Sequence, residues 1–163
     1  MSVVILLIII GVFCRLIPHF PNFSPLVAVS LFSGVYFRKK LGWLLPLSIY
    51  VLSDIIIGLH DVVLFTWSSI VIIYFLGRLI KRSIISTLTY TILSSILFFL
   101  ITNFGVWFVG WYLHTWEGLI KCYILALPFF RTSLFADLFF VGVLFGIYEY
   151  FLSKRFLLQH NTN

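Results

Sequence analysis

The sequence predicts an all-α protein, a single membrane domain over residues 1–163 that forms a bundle of about six transmembrane helices. The chain is 62% hydrophobic and 10% charged, with a mean hydropathy of +1.15, whereas soluble domains are roughly 45–50% apolar. Its apolar runs are continuous rather than alternating, which favours helices over a membrane β-barrel. Spans of roughly 20 residues each use most of the chain, so no soluble catalytic domain fits.

The first three apolar runs are bounded by proline, glycine or charge. The run 2–17 has no basic residues before it, and Gly11-Val12-Phe13-Cys14 lacks the small residues expected before a cleavage site or a lipidated cysteine, so we expect a retained span rather than a cleaved signal peptide. The run 25–37 is short, and we expect it to be tilted, broken or shielded by its neighbours. The run 41–58 follows a basic cluster and ends at a glycine.

Three further runs follow. The run 62–80 ends before a basic pair, 84–111 is the longest, and 133–152 ends before the basic pair of the C-terminal tail. The connection 112–132 is the longest between runs, and we expect an outer loop that forms a lid or a short interfacial helix.

Basic residues lie on alternate connections. If the N terminus is cytoplasmic, the loops 38–40 and 78–83 and the tail after residue 152 lie inside and carry eight of the eleven Lys and Arg residues. This distribution satisfies the positive-inside rule and predicts a multi-pass protein of the cell membrane with both termini in the cytoplasm. The net charge of +6 therefore marks topology and does not indicate a nucleic-acid partner.

The sequence predicts no cofactor and no metal. Cys14 and Cys122 are isolated, and His19, His60 and His114 lack the local spacing of metal ligands. No G-x-x-x-x-G-K-[ST] phosphate loop is present. We therefore expect a protein that is not an enzyme and that depends on other subunits for any ATP hydrolysis.

The outer side of this topology collects the acids, three of the four histidines and most of the tryptophans. A binding pocket combines flat apolar walls with a few fixed donors and acceptors. A carboxylate that faces lipid costs about 2.5–3.5 kcal/mol, so we expect the acids of the spans to face protein or water. The candidate substrate-binding residues are Asp54, Asn103, Trp107, Trp111, Arg131 and Asp137.

Each candidate also has a structural interpretation. Asp54 can pair with an arginine, and Asp137 can stabilise a helix N terminus. Trp107 and Trp111 are also typical of an aromatic belt at headgroup level. Asn103 favours a pocket, because it is polar inside the run and shares one helix face with both tryptophans, with Ser95 and Phe99 further inward.

The first outer connection contains Pro18, Pro21 and Pro25. Proline fixes φ and disfavours helix at the preceding residue, which predicts a rigid extended cap above the pocket. The long outer loop would close over the pocket from the other side. The candidate lid or gate residues are His19, Asn22, Trp116 and Glu117.

The chain resembles the substrate-binding S components of energy-coupling factor transporters, and an uncharacterised six-span bacterial membrane family allied with them. The size, the number of spans and the outer polar residues are similar over nearly the whole chain. The closer motifs are Arg15-x-x-Pro18-His19-x-Pro21-Asn22-Phe23-Ser24-Pro25, Ser53-Asp54, Thr102-Asn103-Phe104-Gly105-x-Trp107 and Pro128-Phe129-Phe130-Arg131.

This resemblance implies a bundle that captures a small vitamin-like solute from outside. It also implies a shared transmembrane coupling protein and two ATPases that drive release inward. S components contact that coupling protein through small residues on an early helix, commonly two alanines four apart. Here Ala28-x-x-x-Phe32 departs from the pattern, and the nearest substitute is Ser30-x-x-x-Gly34, so Ser30 and Gly34 are the candidate coupling residues.

Two other classes remain open. One is a non-transporting scaffold similar to the six-span rod-shape protein of the bacterial elongation machinery, which binds other envelope proteins. The other is an intramembrane enzyme that uses Asp54 and Asp137 as a carboxylate pair, and it requires both acids near one cavity.

Overall fold

The computed structural model describes residues 2–17, 22–38, 40–81 and 83–160, with side chains over 8–17, 22–38, 40–81 and 83–151. Over these residues the chain forms six α-helices joined by short connections, and no strand. The helices confirm the predicted all-α fold. They are α1 (Ser2–Leu16), α2 (Leu26–Tyr36), α3 (Leu44–Ile57), α4 (Val63–Gly77), α5 (Ile84–Phe108) and α6 (Trp116–His160).

Helix α6 differs most from the sequence prediction. The loop expected over 112–132 is replaced by a short connection over 109–115, and α6 then continues for 45 residues. The hydroxyl of Thr115 accepts a hydrogen bond from the Gly118 N–H at 3.1 Å and caps the new N terminus. Pro128 lies inside the helix, where it costs a backbone hydrogen bond without ending the helix.

Two helices are long and apolar enough to cross a membrane, namely α5 and the 116–151 part of α6. The 25 residues of α5 span about 37 Å, compared with a hydrocarbon core of about 30 Å. Helices α2, α3 and α4 are apolar but shorter, with 11, 14 and 15 residues. Many large apolar side chains lie on the exterior, among them Ile84 and Ile85, which are 80% and 79% exposed. Such a surface suggests a membrane protein.

Contacts between side chains define the directions of the helices. Helices α1 and α3 run parallel, as do α2 and α6, whereas α5 is antiparallel to both α4 and α6. We call the end that contains the N terminus of α2 the cavity end, and the end that contains Arg38, Arg78 and Lys81 the basic end. The defining contacts are Gly11 with Ile49 and Arg15 with Ser53 for α1 and α3, Phe32 with Phe145 and Tyr36 with Glu149 for α2 and α6, and Ser95 with Asp137 and Phe99 with Phe130 for α5 and α6. For α4 and α5 they are the contact of Phe65 with Gly105 and the short connection that joins the other ends of the two helices.

Helix α2 lies at the centre of the bundle. It contacts α3, α4, α5 and α6, and eight of its eleven residues are buried. A Cβ added at Gly34 would lie 2.8 Å from the Gly77 Cα of α4, so the two helices cross at close range. The neighbours thus shield this short helix, which was one of the expected outcomes.

The two residues predicted for partner coupling belong to this buried core. Ser30 is fully buried and donates a hydrogen bond to the Leu26 carbonyl at 2.7 Å, and Gly34 packs against α4. Both residues therefore hold the bundle together and present no surface to a partner. The small-residue pattern identified a close helix contact correctly, but this contact is internal.

Candidate functional site

A cavity of about 440 Å³ lies among the helices towards the cavity end. Its volume falls within the range of small-molecule sites. All six helices or the connections next to them contribute to its walls. The polar lining residues are Arg15, Asn22, Ser24, Tyr50, His60, Thr66, Ser95, Thr102, Asn103, Ser133 and Asp137.

Arg15 and Asp54 form a buried ion pair beside the cavity. Arg15 Nη1 lies 2.5 Å from Asp54 Oδ1 and also donates to Ser53 Oγ at 2.6 Å. The guanidinium carbon lies 4.1 Å from the centre of the Tyr50 ring. The second oxygen of Asp54 accepts a hydrogen bond from Trp67 Nε1 at 2.8 Å. A buried charge requires such compensation, so Asp54 anchors Arg15 and lies behind the cavity wall rather than on it.

His60 follows the end of α3. The helix stops at Gly58, which adopts a φ of 115°, a backbone conformation that favours glycine. The chain then turns so that His60 lines the cavity, with Nε2 at 3.9 Å from Asp54 Oδ2. From the sequence alone, His60 and Asp61 are expected only to form the turn that follows Gly58. Among the described residues, no group of three or more His, Cys, Asp or Glu side chains is placed to hold a metal ion.

Asp137 lies on the opposite wall, on α6. It is 4% exposed, and its Oδ2 accepts a hydrogen bond from Ser95 Oγ of α5 at 2.7 Å. Within the described part of the chain, no basic side chain forms an ion pair with it. Arg131, the predicted site residue one and a half turns earlier, is exposed and does not line the cavity.

Phenylalanines form a third part of the lining. Phe99 of α5 and Phe130 of α6 have ring centroids 4.8 Å apart, and Phe98 and Phe129 also line the cavity. Asn103, one turn after Phe99, lines the cavity and donates a hydrogen bond from Nδ2 to the Phe99 carbonyl at 2.8 Å. The stripe predicted on α5 is therefore confirmed from Ser95 to Asn103.

The same stripe does not extend to the predicted tryptophans. Trp107 donates from Nε1 to the Leu113 carbonyl at 3.0 Å. Trp111 is 68% exposed and donates to Asp61 Oδ2 at 3.3 Å. Helix α5 ends at Phe108, so the four-residue spacing no longer places Trp111 on the same face. Neither tryptophan lines the cavity; each holds a connection at this end of the bundle.

One of the four predicted gate residues lies at the cavity. Asn22, with a φ of 63°, lines it, and its carbonyl accepts a hydrogen bond from Ser133 Oγ at 3.4 Å. Trp116 and Glu117 are exposed in the first turn of α6 and do not line the cavity. His19 lies outside the described residues.

The chain was also compared with known proteins. One family model, described as a family of unknown function (DUF6580), matches residues 1–160. No curated protein and no solved structure matches. The matched range includes all six helices and every residue of the cavity lining.

Proposed function

The chain belongs to the DUF6580 family, and we propose that it is a membrane-embedded binding subunit that captures a small vitamin-like solute from outside the cell. Uptake would be driven by separate ATPase subunits through a shared transmembrane coupling protein. The observation that carries this proposal is the 440 Å³ cavity. It combines aromatic walls with fixed polar groups, which is the composition expected of a small-molecule site.

Two unpartnered polar atoms support a solute in this cavity. Ser24 Oγ and His60 Nδ1 are buried and have no hydrogen-bond partner among the described residues. Each such group costs about 1–3 kcal/mol when it is left unsatisfied. Both residues line the cavity, so a rotation of each side chain that turns its polar atom into the cavity would let a bound solute with matching donors and acceptors offset this cost.

The proposed topology has six spans in the inner membrane, with the cavity end outside. The support is the apolar exterior of α5 and α6, together with the basic residues at the opposite end, which favour the cytoplasmic side. The shorter helices require either local thinning of the bilayer or shielding by their neighbours. The contacts of α2 with four other helices provide such shielding.

Release inward requires a second conformation with lower affinity for the solute, because only differential affinity between two states couples binding to a conformational change. Asn22 and the first turn of α2 line the cavity next to Arg15 of α1. Movement of this connection away from Ser133 would open the cavity to the outside. The coupling protein must contact a surface other than the buried face of α2.

The intramembrane enzyme is the less favoured alternative. It needs two available carboxylates, but Asp54 is engaged by Arg15 and Trp67 and does not line the cavity. The proposal therefore assigns Asp54 to support of the site and not to chemistry.

Mass spectrometry of small molecules retained by the gently purified protein tests the proposal. Ala126→Phe fills the cavity from α6, whereas Ile124→Phe adds the same ring to a side chain that is 58% exposed on the same helix. We expect one defined compound in the wild type and in Ile124→Phe, and its loss in Ala126→Phe. If all three proteins retain no defined compound and instead purify with a constant set of envelope proteins, the binding subunit is refuted in favour of the scaffold.

A further inference from the structure

The charges around the cavity do not cancel. Arg15 and Asp137 line it, and the charge of Arg15 is already matched by Asp54 at 2.5 Å. Asp137 has a hydroxyl partner, Ser95, but no cationic partner among the described side chains. With His60 neutral and Asp137 ionised, Arg15, Asp54 and Asp137 together carry a formal charge of −1, and this charge lies on the α6 wall.

A buried carboxylate without a cation is costly, because the protein interior does not replace its hydration. The penalty is several kcal/mol per ion after relaxation, and one hydrogen bond from Ser95 offsets only part of it. A cationic solute would supply the missing partner. An anionic solute would face repulsion from Asp137, and it would have to compete with Asp54 for Arg15.

The aromatic wall lies next to this carboxylate. Phe130 and Asp137 are seven residues apart on α6, so they share one helix face about 10 Å apart along the axis. Ser95 and Phe99 are one turn apart on α5, and the rings of Phe99 and Phe130 are in contact. Aromatic faces stack on planar rings and attract cations.

From this arrangement we propose that the cavity selects a small planar organic cation, whose N–H donors bind Asp137 and whose ring packs on Phe99 and Phe130. This inference rests on the proposed binding function and adds the charge and shape of the solute. It excludes carboxylate-bearing and phosphorylated solutes as the preferred class.

Three probes of nearly equal size test the inference. Benzamidine is a planar amidinium cation, benzamide is its neutral analogue, and benzoate is the anion. Equilibrium binding of each probe is measured by calorimetry on the full chain in lipid nanodiscs. We expect benzamidine to bind at least about tenfold more tightly than benzamide, because only the amidinium brings a positive charge to the Asp137 carboxylate. We expect benzoate to bind most weakly, because its charge has the same sign as that of Asp137.

Variants assign the effect to Asp137. Asp137→Asn keeps the shape and removes the charge, and it should abolish the preference for benzamidine over benzamide. Glu149→Gln removes an exposed carboxylate from the basic end of the same helix and should leave the preference unchanged. If Asp137→Asn does not fold, the order of the three probes on the wild type still decides. Equal or tighter binding of benzamide or benzoate overturns the inference.

The two proposals fail separately. An anionic compound retained in the mass spectrometry experiment would refute the cation preference and leave the binding subunit intact. Absence of saturable binding for all three probes up to about 10 mM, where binding free energies fall to about −3 kcal/mol, also counts against the cation inference. The retention experiment with Ala126→Phe decides the binding function independently of these probes.

Discussion

Removal of Arg15 should strongly destabilise the fold. In an Arg15→Leu variant, Asp54 stays 1% exposed and loses the cation that lies 2.5 Å away. Breaking a buried ion pair from one side costs about 3–5 kcal/mol. The Trp67 hydrogen bond remains at 2.8 Å, and the His60 ring at 3.9 Å becomes the nearest basic group. We therefore expect the lower part of this range, about 3 kcal/mol.

For a chain of this size, 1 kcal/mol shifts the melting temperature by about 2–4 °C, so the expected loss is about 6–12 °C. Thermal unfolding of the purified protein in one detergent, followed by loss of the monodisperse peak, measures it. The double variant Arg15→Leu with Asp54→Leu removes both charges and should recover most of the loss, since replacing a whole buried pair by apolar residues is often nearly neutral. The ion-pair argument is refuted if the single variant melts within about 2 °C of the wild type, or if the double variant melts at or below the single one.

Four further variants test other parts of the structure. Gly34→Ala places a Cβ against α4 and should lower the free energy of unfolding by about 1–3 kcal/mol through overpacking. In the control Gly142→Ala the new Cβ meets nothing within 4 Å, and the variant should be stabilised by up to about 1 kcal/mol. If the two variants have the same melting temperature, the close crossing of α2 and α4 is contradicted. Trp107→Phe removes the hydrogen bond from Trp107 to the Leu113 carbonyl in the 109–115 connection, so limited proteolysis of this connection should become faster. The compound retained on purification should be the same as in the wild type, and its loss would place Trp107 in the binding site. Thr115→Ala removes the N-terminal cap of α6 and should lower the stability of the helix N terminus by about 1 kcal/mol. Amide hydrogen exchange in the first turn of α6 should then be faster. Unchanged exchange there would show that this cap does not stabilise the helix.

Local composition was enough to predict most helices. Apolar runs bounded by charge, proline and glycine placed the fifth helix at its observed start, Ile84, and the second helix within one residue at each end. Apolar runs predict helices reliably because a helix satisfies its backbone hydrogen bonds within its own segment, whatever the rest of the chain does. The loop predicted over 112–132 is wrong for the same local reason, because Pro128 and Arg131 predict a break that the helix does not have. The Tyr123 hydroxyl donates a hydrogen bond to the Leu100 carbonyl of α5 at 2.8 Å, a tertiary contact that the local pattern does not contain.

The candidate site was predicted in part. Asn22, Asn103 and Asp137 line the cavity, and the four-residue spacing on α5 correctly brought Ser95 and Phe99 to the same wall. Asp54, expected to face protein or water, pairs with Arg15 inside the bundle. Gly34, predicted to contact a coupling protein, packs instead against α4 of its own bundle. His60 was missed because a histidine in a turn carries no periodic signal. The proximity of Gly58, which redirects the chain, was the only hint of its position.

By itself, the sequence determined the helical class and the apolar exterior, because these depend on composition and on the hydrogen bonding of each segment alone. It also determined which residues share a face on one helix. Only the tertiary structure decided which face lines the cavity and which cation each carboxylate meets. Those outcomes depend on the rotation of each helix about its axis and on the angles at which the helices cross. Close contacts such as Gly34 with Gly77 and Gly11 with Ile49 fix both. Such contacts join residues far apart in the chain, so Arg15 compensates Asp54 and leaves Asp137 without a cationic partner among the described side chains.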